Sequence, residues 1–255
     1  IVKNVAGFDL PKVFAGSYGT LGLLTDITLK ITPLPRARHT LLIPADDLRH
    51  GLIWARQMLP LALVTSAIVL FKGDTMPDVP GLPPSPYLLS YTAEGLPEDV
   101  EAELDTVRQL LHTAGAPPPL AVETPTGNDL WADLLRGAPR QALQARIGVP
   151  IRDLPAYIQD QSHLLHGGTF LADIANGLTY AVKMVDNAEE ARAWLEALRQ
   201  PALAAEGYAI AMNVPTLLQG AIDQWGYRPQ ALDVMQGLKA RWDPAGILNP
   251  GVFVV

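Results

Sequence analysis

Between residues 39 and 124 short, nearly continuous apolar runs alternate with longer stretches whose hydrophobic positions are spaced out. Short runs rich in apolar and β-branched residues at 39–43, 63–71, 87–92 and 120–124 predict strands. Apolar residues recur at every third to fourth position in 46–58 and 97–114, which predicts helices. Asp46 is placed to cap the first helix, and Leu104, Val107, Leu110 and Leu111 fall on one face of the second. A stretch rich in proline and glycine, 73–86, lies between the second and third strands. The order is β-α-β-β-α-β. After a short helical segment at 128–135 it returns as strand 143–149, helix 154–165, strands 169–174 and 179–185, helix 188–203 and strand 208–214. A last helix is predicted at 230–241.

This repetition predicts an α+β fold, a duplicated ferredoxin-like domain with halves at about 39–124 and 143–215. Each half carries an antiparallel sheet with helices on one face, and the other face is expected to stay free to cover something. Residues 1–35 follow another pattern. They hold Gly7, Gly16, Gly19 and Gly22 and end in an alternating run, 23–31, that predicts a strand closed by Pro33 and Pro35. The chain opens on Ile1 inside a motif, so a truncated piece of a longer protein is expected.

Composition narrows the function classes. With 26 acidic against 19 basic side chains and a net charge of −7, the chain has no basic tract to attract nucleic acid or anionic membrane. It has no cysteine, which excludes disulfides, thiolate catalysis and an iron-sulfur cluster held by this chain. The apolar run 59–71 is broken by Pro60, Thr65 and Ser66 and falls short of the roughly 20 residues a membrane span needs, so no direct membrane insertion is expected.

Candidate chemistry lies at the two ends. Closely spaced glycines in Gly16-Ser17-Tyr18-Gly19-Thr20-Leu21-Gly22 let backbone N–H groups approach a ligand, as flat or phosphorylated cofactors require. Tight turns would use the same residues, and neither a dinucleotide fingerprint nor a P-loop is present. With Lys3-Asn4-Val5-Ala6-Gly7-Phe8-Asp9-Leu10 before it and Asp243-Pro244-Ala245-Gly246-Ile247-Leu248-Asn249-Pro250-Gly251 at the other end, the segment resembles the FAD-linked oxidases of the vanillyl-alcohol oxidase and p-cresol methylhydroxylase type. Within that family, Phe8 and Tyr18 depart from the catalytic 2-hydroxyacid members, and the opening is similar to the E subunits of glycolate oxidases rather than the catalytic D subunits. The resemblance implies an FAD-binding-domain remnant at 1–35, an oxidase cap at 36–228, and a helix and tail returning to the flavin domain at 229–255. It implies FAD as cofactor, with Asn4, Gly7, Asp9, Gly16, Ser17, Gly19, Thr20, Leu21, Gly22 and Asn249 lining it. The chain alone is expected to bind FAD weakly or not at all and to be inactive, because the phosphate loops that precede this segment in the family are missing.

The cap breaks the family pattern. Where catalytic members carry a two-histidine hairpin motif, this chain reads Ala172-Asp173-Ile174-Ala175-Asn176-Gly177-Leu178-Thr179-Tyr180, so Asp173 and Tyr180 replace both imidazoles and Asn176-Gly177 is left as a hairpin turn. No catalytic residue and no metal ligand is assigned. His163 and His166 lack a third ligand and read as surface residues, and His39, His50 and His112 are isolated. The acidic run 98–105 reads as the wet face of a helix, and the scattered tryptophans Trp54, Trp131, Trp194, Trp225 and Trp242 read as packing residues.

The resemblance therefore implies an auxiliary FAD-binding subunit. Its partners would be a catalytic FAD subunit and an iron-sulfur subunit of a glycolate oxidase complex, cytoplasmic and peripheral to the inner membrane through that complex. Two alternatives stay open: a self-sufficient FAD oxidase with Tyr180 or Tyr208 over the flavin, and a structural docking module without flavin.

Overall fold

The computed structural model describes residues 9–73, 79–123 and 141–253. They pack as two units, one from the described parts of 1–32 and 227–255 and the other from the described parts of 33–226. The predicted helix at 128–135 lies outside the described residues.

In the larger unit the first four strands are β1 (Ala37–Ala45), β2 (Thr65–Lys72), β3 (Tyr87–Gly95) and β4 (Leu120–Glu123). The second four are β5 (Ala142–Gly148), β6 (Thr169–Asp173), β7 (Leu178–Met184) and β8 (Tyr208–Asn213). They form one eight-stranded sheet in the order β4-β1-β3-β2-β6-β7-β5-β8, every pairing antiparallel. The two groups of four join edge to edge through β2 and β6, with Val69 opposite Asp173 and Lys72 opposite Phe170. Strand β3, flanked on both sides, is buried from Tyr87 through Ala93. Its near-continuous apolar run is what a strand covered on both faces requires.

The helices of this unit are α2 (Leu48–Met58), α3 (Pro97–Thr113), α4 (Leu154–Asp160), α5 (Ser162–Leu165) and α6 (Ala188–Ala204). Their apolar stripes meet Leu41, Ile43, Leu70, Leu89, Tyr91, Ala145 and Ile147 of the sheet in the main core. Each such fully buried large side chain contributes about 1.5–3 kcal/mol. The cap of α2 is Asp47, whose carboxylate accepts the His50 amide at 2.8 Å, and not Asp46; a side chain reaches the N3 amide from the residue in extended conformation just before the helix. The predicted helix 154–165 is divided at Gln161, where the backbone leaves helical geometry.

Two further expectations are corrected. The opposite face of the first four strands is covered: Leu42, Val69, Phe71, Leu88 and Leu171 form a second cluster beneath Val79, Leu82 and Leu120. The run 23–31 forms no strand. It has no pairing partner among the described residues, with Leu23, Ile27, Leu29 and Ile31 at 85%, 67%, 76% and 85% exposure, because alternation alone supplies no partner for the backbone hydrogen bonds.

The smaller unit holds α1 (Leu10–Phe14) and α7 (Leu232–Trp242). Phe14 packs on Trp242 with ring centres 5.5 Å apart.

Candidate functional site

In the smaller unit the glycine loop and the C-terminal tail are tied together by side chains. Lys239 on the last turn of α7 donates from Nζ to the Thr20 carbonyl at 2.9 Å, the Leu248 carbonyl at 2.7 Å and Asp243 at 2.5 Å. Asp243 in turn accepts the Ile247 and Leu248 amides at 3.1 and 2.9 Å. The Lys239 ammonium first, and then these amides, hold the Asp243 carboxyl down at about 2. Asn249 donates from Nδ2 to the Tyr18 carbonyl at 2.8 Å. Gly19, at φ 71°, lies so close that a Cβ would sit 2.8 Å from that same nitrogen. Two reasons, positive φ and close approach, therefore demand glycine there.

The loop's predicted cofactor residues divide by where their polar groups point. Thr20 is buried and its hydroxyl donates to the Ser17 carbonyl, while the Ser17 and Thr20 amides bond the Phe14 and Ser17 carbonyls. The amides of Gly16, Gly19, Leu21 and Gly22 have no partner among the described residues. Those four have donors to offer a ligand; Ser17 and Thr20 shape the turn. Asp9 is half-buried and paired with Lys12 at 2.9 Å, which lowers its pKa. Asn4 and Gly7 lie outside the described residues.

The larger unit presents a second constellation, on the face of β5, β7 and β8 that carries none of the described helices. Strand register sets one row of side chains across the sheet: Phe71, Leu171, Tyr180, Arg146 and Ile210 are successive partners from β2 to β8. Arg146 is the one cation in this apolar and aromatic row. Its guanidinium carbon stands 5.6 Å from the centre of the Tyr208 ring, and its Nε is buried without a hydrogen-bond partner among the described residues. Tyr208 lies across Gly148, where a Cβ would be 2.5 Å from the ring. Tyr180 and Tyr208, one or the other of which is expected over the flavin in one alternative, are both neighbours of Arg146, a residue that sequence reasoning did not single out. A lone arginine in a strand without acidic neighbours was the available signal.

The β6–β7 hairpin carries no imidazole. Asp173 accepts the Asn176 amide at 3.3 Å and its Nδ2 at 2.7 Å, which fixes the turn, with Gly177 at φ 70°. His166 bonds Tyr87 at 2.5 Å, and His163 is exposed. No cluster of three or more metal-ligating side chains occurs among the described residues. No described helix is long and apolar enough to cross a membrane.

Residues 224–253 match the family described as FAD linked oxidases, C-terminal domain. The match holds α7 and the tail that Asp243 and Lys239 organise. Over 98% of its length the chain is 24% identical to a D-lactate dehydrogenase of Anaerostipes hadrus, covering 59% of that protein. It is 22% identical to glycolate oxidase subunit GlcD of Bacillus subtilis over 98% of its length, covering 58% of that protein. A stretch of 41 residues, 16% of the chain and 12% of the relative, is 54% identical to glycolate oxidase subunit GlcE of Escherichia coli. The chain thus spans less than two thirds of the length of these relatives. Among solved structures, alkyldihydroxyacetonephosphate synthase superposes with a TM-score of 0.61 at 16% identity, covering 98% of this chain and 51% of that one. That likeness concerns the mixed α+β fold, an antiparallel sheet backed by helices.

Proposed function

We propose that the chain is part of the auxiliary, FAD-binding E-type subunit of a glycolate oxidase-type 2-hydroxyacid dehydrogenase complex, working beside a catalytic FAD subunit and an iron-sulfur subunit. In this reading 1–35 and 229–255 belong to the flavin domain, and 36–228 is a cap made of duplicated ferredoxin-like halves. The observation that carries it is the hairpin at 173–180, where Asp173 is spent on the turn and Tyr180 faces the sheet row, so no imidazole stands ready to take a hydroxyl proton. The 54% identity to GlcE points the same way, although it covers only 41 residues and the GlcD likeness extends over far more of the chain.

FAD, when bound, supplies hydride acceptance. This chain's part is to offer the free amides of Gly16, Gly19, Leu21 and Gly22 to the cofactor, with Lys239, Asp243 and Asn249 holding the loop in shape. Gly19→Val is expected to lower the flavin content of the assembled complex. Turnover tests the assignment: incubated with glycolate or D-lactate and an artificial electron acceptor, this protein without its partners should give no oxidation. Oxidation by the isolated protein would overturn the auxiliary role.

A second reading, a self-sufficient oxidase, is favoured by the placement of Tyr180 and Tyr208 beside Arg146. It requires that Tyr180→Phe abolish an activity shown by the isolated protein.

A further inference from the structure

We propose that the cavity between the start of α2 and the helices α4 and α5 is a binding site for a neutral polyhydroxylated ligand the size of a sugar ring. The cavity belongs wholly to the larger unit, and the proposal does not depend on the flavin role above.

The cavity has a volume of about 600 Å³, within the range of small-molecule sites. Residues 46–50 and Tyr87 of the first half line it together with Gln159, Ser162 and His166 of the second. Its deepest lining residues, Leu48 and Tyr87, are buried and largely apolar, and Pro86 extends that surface. Two imidazoles stand over it in fixed positions. His50 pairs through Nδ1 with the Asp47 carboxylate at 2.7 Å and stacks on Trp54, ring centres 5.7 Å apart, so Nε2 is the nitrogen left to a ligand. His166 bonds the Tyr87 hydroxyl through Nε2 at 2.5 Å, while Lys72 donates to the His166 carbonyl at 3.0 Å. Desolvation, and then the Lys72 ammonium, hold the His166 imidazole below its ordinary value, so it is neutral at pH 7.

The chemistry selects the ligand class. The side chains of Asp46, Arg49, Gln159 and Ser162 line the same cavity without a hydrogen-bond or ion-pair partner among the described residues. They offer an acceptor, a donor, and an amide and a hydroxyl that are both. An anion would meet the carboxylates of Asp46 and Asp47, and a cation would meet the Arg49 guanidinium. A hydroxyl donates and accepts, so it pairs with every one of these groups. An apolar floor below a rim of mixed donors and acceptors matches a sugar ring, whose C–H faces are apolar and whose edge carries hydroxyls. The side chains fixed by Asp47 and Tyr87 need no further ordering to meet it.

The test is titration of the protein with glucose, mannose and galactose, followed through backbone amide shifts by NMR. At least one sugar should move the amides of 46–50 and 159–166, with a Kd on the order of 1 mM. Asp46→Ala should weaken that sugar about tenfold, and Gln159→Ala about threefold. Both side chains are exposed, and Asp47 rather than Asp46 caps α2, so both variants should melt at the wild-type temperature. Tetrahydropyran, the same ring without hydroxyls, and sulfate should leave these amides unmoved. No response to any of the three sugars, shifts confined to other parts of the surface, equal affinity in Asp46→Ala, or a matching response to sulfate or tetrahydropyran would each overturn the assignment. Because flavin takes no part, failure of the auxiliary-subunit reading leaves this outcome unaffected.

Discussion

Glu103 offers the sharpest energetic test of the fold. It sits on α3 but turns inward, at 7% exposure, and is a four-way acceptor. Oε2 takes the Leu63 and Val64 amides at 2.7 and 2.8 Å, and Oε1 takes the Thr65 hydroxyl at 2.5 Å and the Tyr91 hydroxyl at 2.9 Å. The carboxylate thus pins the entry of β2, where the ladder is irregular between Thr65 and Ala67, to α3 and β3. Glu103→Ala strips all four donors of their partner, two of them backbone amides that cannot turn away, and should cost about 3–5 kcal/mol. For a domain of this size that is a fall in melting temperature on the order of 10 °C. Glu103→Gln keeps the shape, and its amide can donate to the two hydroxyls, so about 1–2 kcal/mol is expected. Burial alone would raise the Glu103 pKa, but the hydrogen bonds from Thr65, Val64, Leu63 and Tyr91 outweigh it and leave the carboxyl below its ordinary value of 4.5. With a lowered native pKa, this stabilisation is complete above that ordinary value and is lost as pH falls through the native one. Thermal melts from pH 7 downward should therefore fall more steeply for the wild type than for Glu103→Gln below about pH 5. A melting temperature for Glu103→Ala within 2 °C or so of wild type would refute the clamp.

Two further substitutions probe the other clamps. Gly226→Ala places a Cβ 1.9 Å from Nε of Arg199, a buried guanidinium already bonded to the Ala209 carbonyl at 3.0 Å and the Asp223 carbonyl at 2.9 Å, and at φ 66°. Chemical denaturation should show a loss of about 2–4 kcal/mol, and a change below about 1 kcal/mol would mean the arginine moves aside freely. Asp243→Asn removes the charge that Lys239 and two amides hold, so exchange at the Leu248 amide should quicken at neutral pH. In the wild type that protection persists below pH 3.8 and fades only as pH falls through about 2, and identical exchange in both proteins would refute the role given to Asp243.

Residue by residue, the sequence alone placed the described strands and helices of 39–214 within a few positions, the division at Gln161 apart, because short apolar runs and a 3.6-residue period are local properties of a buried or half-buried element. It also marked the glycine loop and the Asp243 tail, whose turns depend on residues adjacent in the chain. What it could not give depended on contacts between distant residues. Glu103 belongs to an acidic run that reads as solvated, and only the approach of 63–65 turns it into a buried acceptor. The run 23–31 alternates like a strand, yet strand formation depends on a partner that pattern cannot supply. Arg146 is an unremarkable position in β5 until antiparallel register sets Tyr180 beside it and packing lays Tyr208 against it. Local periodicity is written in the order of residues, whereas register, and with it the neighbours that make a side chain a clamp or a binding group, exists only once segments far apart in sequence have paired.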